Sequence, residues 1–212
     1  MSSSAAPSTL DNSVAVPEET DGRALRRQAL GMFFIILILS LGALIWPRGD
    51  GTSLAPAGFL LDASGRPTTL GDHMTPVVLL HFWSTWCPPC ITEIPALERL
   101  AADFEGRPGF QVMMVAVDDE LEKVRPFVGN QRAFSVLYDP QWEVAHRYGT
   151  RKLPETYVIV NGRKIEKLKF IGATPWDDPG IRATLSTIID MVASGKEMEE
   201  ILAVIDDRKT PA

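Results

Sequence analysis

The 212-residue chain has two cysteines, and both lie in one short run, Trp86-Cys87-Pro88-Pro89-Cys90. Two intervening residues let the sulfurs meet across a single turn, which suits reversible disulfide formation. The thiolate is the reactive form of cysteine, and a free thiol titrates at about 8.5. Unsatisfied N–H groups and the helix dipole at a helix start favour a negative sulfur. Lowering the pKa there by about 1.5 units favours the thiolate by about 2 kcal/mol. Pro88 fits the first helical turn, where its missing N–H costs nothing. By this geometry Cys87 is the exposed nucleophile, and Cys90, one turn in, is the buried resolving thiol. A structural bridge over so short a loop would add little stability. A zinc site needs more soft ligands than these cysteines and the scattered His73, His81 and His146 offer.

The flanking segments can position such a pair. Residues 77–83 (VVLLHFW) are nearly all apolar, which predicts a strand buried on both faces. Ile91, Ile94, Leu97, Leu100, Ala101 and Phe104 follow at helical spacing, with Pro95 inside the helix. The pair thus stands where a buried strand turns into a helix that ends near Gly106. A hairpin is predicted around Gly65, a second buried strand over 111–117, a helix over 121–130 and short elements over 135–138 and 141–148. A second hairpin turns at Asn161-Gly162, between strands over 155–160 and 164–171. An amphipathic helix over 181–193 and a last helix over 197–207 follow. Strands alternating with helices and closing on an antiparallel hairpin make an α/β layer arrangement around one sheet.

A net charge of −6 gives no basic footprint for nucleic acid. Without a glycine-rich phosphate loop or dinucleotide fingerprint, no nucleotide cofactor is implied. Residues 1–27 read as a disordered cytoplasmic tail, rich in Ser, Ala, Pro and acids until Arg23, Arg26 and Arg27. Residues 28–47 carry no charge and, as a helix, would span about 30 Å, the hydrocarbon thickness of a bilayer. The preceding arginines keep the N-terminus cytoplasmic. We therefore expect an uncleaved transmembrane anchor, no small-x-small cleavage site or lipid-accepting cysteine being evident. A linker over 48–57, a domain over 58–195 and a C-terminal extension over 196–212 complete the expected organisation.

The run Phe82-Trp83-Ser84-Thr85-Trp86-Cys87-Pro88-Pro89-Cys90 resembles the signature of the thioredoxin superfamily. Glu93-Ile94-Pro95 and Leu153-Pro154-Glu155-Thr156-Tyr157 resemble the membrane-anchored TlpA/ResA/CcmG-type thiol-disulfide oxidoreductases. The resemblance covers about residues 57 to 195. It implies a thioredoxin-like fold, a central mixed sheet flanked by helices, carried by an N-terminal transmembrane helix and facing the periplasm. It also implies reduction of disulfides in partner proteins, commonly in cytochrome c maturation; with no cofactor encoded, a membrane electron donor is expected to recharge the enzyme. No cofactor is implied beyond the redox-active Cys87–Cys90 disulfide.

Pro154 matches the family's cis-proline, which would leave the Leu153 backbone free to pair with an extended substrate. Trp86, Pro88, Pro89, Leu153, Pro154 and Glu155 make up the expected substrate-binding set, Glu155 matching a second family acid. Glu93 lies three residues beyond Cys90 on a neighbouring helix position. There it either accepts the Cys90 proton, opposes thiolate formation or is simply a solvated helix glutamate. His81 departs from the buried Asp of many thioredoxins and shares a strand face with Val77, Leu79 and Trp83. It is either a proton relay for Cys90 or a satisfied core histidine. Trp83 and Trp86 are expected to shield the disulfide, and Trp176 to be core. The rival activities are a disulfide oxidant of the same fold, a copper-site assembly protein using His146 as a further ligand, and a peroxidase. The Pro/Thr/Cys peroxidatic pattern is absent.

Overall fold

A computed structural model describes residues 30–38, 52–54, 59–117, 119–128 and 134–207. They fall into two units, Met1–Arg48 and Gly49–Ala212. In the first, residues 30–38 form a helix, α1, with exposed apolar side chains. The tail expected over 1–27, and more than half of the anchor expected over 28–47, lie outside the described residues. Among the described residues no helix is long and apolar enough to cross a membrane.

The second unit runs β1 (Thr52–Leu54), β2 (Phe59–Leu61), β3 (Pro67–Thr69), a 3-10 turn (Leu70–His73), β4 (Val77–Trp83) and α2 (Pro88–Asp103). It continues with β5 (Phe110–Val117), α3 (Leu121–Val128), β6 (Phe134–Asp139) and α4 (Glu143–Tyr148). The closing hairpin is β7 (Glu155–Val160) and β8 (Arg163–Ile171), followed by α5 (Pro179–Ala193) and α6 (Met198–Asp207). The strands form one eight-stranded sheet in the order β1-β8-β7-β4-β5-β6-β2-β3. β4, β5 and β6 are parallel, and the other pairs are antiparallel, so the sheet is mixed.

All of β4 is buried, as its apolar run predicts. Alternation divides its side chains between two apolar layers. Val77, Leu79 and Trp83 pack with Leu97 of α2, Ile188 of α5 and Ile201 of α6. Val78, Leu80 and Phe82 pack on the other side with Tyr148 of α4 and Tyr157 of β7. Each aliphatic side chain so buried contributes about 2 kcal/mol. α5 starts sharply because Asp178 accepts from the N–H groups of Gly180 (2.8 Å) and Ile181 (3.0 Å), with Pro179 in the first turn.

Two boundaries differ from those expected. Thr52–Leu54, read from sequence as linker, add an edge strand to β8, with Ser53 opposite Lys164. The last helix expected over 197–207 is α6, and its Ile201, Leu202 and Ile205 join the α2 apolar layer, so this part of the expected extension packs with the domain. A three-residue strand carries no alternation to detect, and α6 shows its purpose only once α5 lies beside it.

Candidate active site

β4 delivers the chain to Ser84 and Thr85, and the next turn places Cys87 at the N-cap of α2, with Pro88 and Pro89 opening the helix. Cys87 donates its N–H to the Ser84 carbonyl (3.2 Å), and its own carbonyl accepts from Cys90 (3.0 Å) and Ile91 (3.2 Å). Asp119 holds this turn from below. Its carboxylate accepts from Ser84 Oγ (3.0 Å), the Thr85 N–H (2.6 Å) and Thr85 Oγ1 (2.9 Å). Sequence reasoning missed Asp119, which lies beyond a separate strand and carries no motif.

Cys87 and Cys90 are joined as a disulfide, with their Cα atoms 5.3 Å apart. Cys87 is less exposed than expected, at 5%, since it joins the apolar layer that holds Trp83, but Cys90 has no exposure at all. Any attack on the bridge from outside therefore meets Cys87. Trp86, Pro88 and Pro89 are exposed around it, Trp86 at 55%. Trp83 is buried in the layer that contains both cysteines, its ring edge-on to Phe127. An open depression of about 460 Å³, lined by Thr85, Trp86, Asp119, Glu120, Lys123 and Pro140, flanks the bridge.

The β4–β7 register sets Glu155 opposite Phe82, which brings Leu153 and Pro154 to the same end of the sheet as the disulfide. The Leu153–Pro154 bond is cis. The Pro154 carbonyl accepts from Gly172 (2.9 Å), whereas among the described residues no turn or loop backbone hydrogen bond is made by Leu153. Leu153 is half-buried and Ile171, across from Glu155, is exposed. Glu155, expected to contact substrate, is instead 2% exposed. Its carboxylate pairs with Lys169 on β8 and accepts from the Arg151 N–H (3.2 Å), so the hairpin register turns it inward.

Glu93 proves to be buried rather than a solvated helix residue. Its Oε2 accepts from the Thr174 N–H (3.0 Å) and from Trp176 Nε1 (2.8 Å). Burial pushes the carboxyl up to about 7, against the downward pull of those donors. His81, on β4, is fully buried with Nε2 3.6 Å from Glu93 Oε1 and Nδ1 2.8 Å from Thr156 Oγ1. Burial alone holds the imidazole far below its ordinary range, which keeps it neutral. Cys90, Glu93 and His81 thus belong to one interior face. Thr156, Thr174 and Trp176 complete it, the first two missed in sequence and Trp176 noted only as core. The strand register that pairs His81 with Thr156 was the one signal available.

His146 is stacked on Trp142, ring centres 5.5 Å apart. His73 Nε2 is 2.9 Å from Thr68 Oγ1. Among the described residues no three His, Cys, Asp or Glu side chains stand together as a metal site.

Residues 53–168 match the AhpC/TSA family. The chain is 30% identical to the thiol-disulfide oxidoreductase ResA of Geobacillus thermodenitrificans over 154 residues, 68% of this chain and 88% of that one. It is 26% identical to the sporulation thiol-disulfide oxidoreductase A of Bacillus subtilis over 63% of this chain and 86% of that one. Among solved structures, a Chlorobium tepidum protein described as a thiol:disulfide interchange protein DsbE superposes with a TM-score of 0.57 at 28% identity. The match covers 66% of this chain and 98% of that one. A cysteine pair bonded at the head of a helix, on a mixed sheet shared with these relatives, assigns the chain to the AhpC/TSA family as a thioredoxin-like thiol-disulfide oxidoreductase.

Proposed function

We propose that the protein reduces disulfides of partner proteins outside the cytoplasm, apocytochrome c being one such partner. Residues 28–47 would serve as its anchor and a membrane protein as its electron donor. The observation that carries this reading is the asymmetry of the bridge, with surface left on Cys87 and none on Cys90.

In the reduced enzyme the Cys87 thiolate attacks one sulfur of the client disulfide, and the client's other sulfur leaves as a thiolate. An extended client segment pairs with the free Leu153 backbone beside Pro154 while Trp86, Pro88 and Pro89 flank it. Cys90 then gives its proton to the Glu93 carboxylate, and its sulfur attacks Cys87. The second client sulfur leaves, so two electrons pass to the client and the Cys87–Cys90 disulfide remains. The donor returns the two electrons.

Cys90→Ala should trap the mixed disulfide on a non-reducing gel, and Cys87→Ala should abolish reduction of a disulfide-bonded protein. Turnover by Cys87→Ala would overturn these roles. A reduction potential above about −150 mV would assign the site to oxidation instead.

A further inference from the structure

Four buried side-chain atoms lack a hydrogen-bond partner among the described residues, and two of them, His81 Nε2 and Glu93 Oε1, face each other at 3.6 Å. The remaining polar atom of each group is engaged, Glu93 Oε2 by two donors and His81 Nδ1 by the Thr156 hydroxyl. A hydroxyl can donate or accept, and a neutral imidazole carries one proton on either nitrogen. Two arrangements therefore satisfy both groups after a closure of about half an ångström. With Glu93 protonated, Oε1–H donates to Nε2 and Nδ1–H donates to Thr156. With Glu93 ionised, Nε2–H donates to Oε1 and the Thr156 hydroxyl donates to Nδ1.

We propose that His81 is a positioning residue, neutral in both end states, whose tautomer follows Glu93 as that carboxyl gains and loses the proton exchanged with Cys90. The proposal rests on the role given to Glu93 above and adds the device that lets a buried carboxyl occupy either state. The proton count closes. As the disulfide forms, Cys90 Sγ loses one proton and Glu93 gains one. The ring carries one proton in each end state, on Nε2 while Glu93 is ionised and on Nδ1 while it is protonated, one proton leaving and one arriving by exchange with solvent. No imidazolium is left in the interior, where burial penalises it.

The surroundings leave the exchange to these groups. β5 sets Met114 opposite His81, β7 sets Thr156 there, and β8 sets Phe170 opposite Thr156. α2 adds Cys90 and Glu93, and the segment before α5 adds Thr174 and Trp176. Of the charged neighbours, Glu155 and Lys169 pair with each other at the alternate strand positions, and Asp177 is exposed and paired with Arg99 and Arg182.

The test is a pH titration of the oxidised full-length chain carrying ¹⁵N-labelled histidine, with His81 assigned by difference from His81→Asn. Nε2 should be unprotonated well below pH 7 and protonated well above it, with Nδ1 the reverse and one midpoint near the Glu93 value of about 7. Glu93→Gln should hold one tautomer throughout. A tautomer that never changes in the native protein, or a ring protonated on both nitrogens on the acid side, would overturn the proposal. His81→Leu should move the Glu93 midpoint upward, read from its ¹³C carboxyl shift, because the ionised state loses its donor. An unmoved midpoint would likewise overturn it, and if that variant does not fold the native titration still decides. The titration needs no client, so failure to reduce any disulfide would remove the reductase reading and leave this result standing.

Discussion

Two glutamates are buried at the end of the sheet that carries the disulfide, and their surroundings differ in one respect. Glu155 faces a cation, Lys169, while Glu93 faces a neutral imidazole and two uncharged donors. Both carboxyls are nearly sealed, at 2% and 5% exposure. An interior carboxylate with a cation has its charge balanced and serves architecture. One without a cation is pushed toward neutrality and can exchange a proton. The contrast fits Glu155 to holding the β7–β8 hairpin and supports the role proposed above for Glu93 beside Cys90.

Substitutions can break this contrast. Glu93→Gln keeps the shape and the acceptor for Trp176 but removes the proton site. The rate at which Cys90 resolves a mixed disulfide should fall by about 100-fold, the weight of a positioned acid–base group, in stopped-flow measurements.

The same variant should alter the pH dependence of stability. Glu93, raised from 4.5 to about 7 by folding, lends stability that is complete below pH 4.5 and is lost as pH rises to about 7. His81, lowered from 6.5 to about 3, acts in the opposite sense, stability being lost as pH falls through that range. The two slopes oppose one another between the ordinary carboxyl value of 4.5 and the ordinary imidazole value of 6.5. Without the carboxyl, stability should fall with acid below pH 6.5, approaching about 1.4 kcal/mol per pH unit. Urea melts of the oxidised variant would check this.

Lys169→Met should strand the Glu155 carboxylate and destabilise the fold by about 2 kcal/mol, a value reduced for the partial exposure of Lys169. Client reduction per folded molecule should not change. An equal loss of activity would erase the distinction between the two acids. The smallest effect is expected of Trp176→Phe, which removes one donor to the ionised Glu93. It should cost about 1 kcal/mol in stability and move the activity profile to higher pH, with no effect at Glu155.

What could be read from the chain in advance follows the range of the interactions. Val77–Trp83 announces a buried strand by its own composition, and Cys87, Cys90 and Glu93 announce their relation by spacing along one helix. Strand alternation was enough to put His81 on the face of Trp83. The partners that decide what these groups do come from far away in sequence. Thr156 is 75 residues from His81, and Thr174 and Trp176 are 81 and 83 from Glu93. Asp119 is 34 residues from Thr85. Glu155, named from its motif as a substrate contact, likewise has a distant partner in Lys169, set beside it by a hairpin whose register shifts between Tyr157 and Ile159.

The Asp119 carboxylate fastened beneath Ser84 and Thr85 has a further consequence. With that bend already tied down, the direction from which sulfur can be approached is fixed before any visitor arrives. Adjustment then falls on the visitor, and a bridge carried on a loose stretch is expected to be reduced faster than the same bridge locked inside a folded domain.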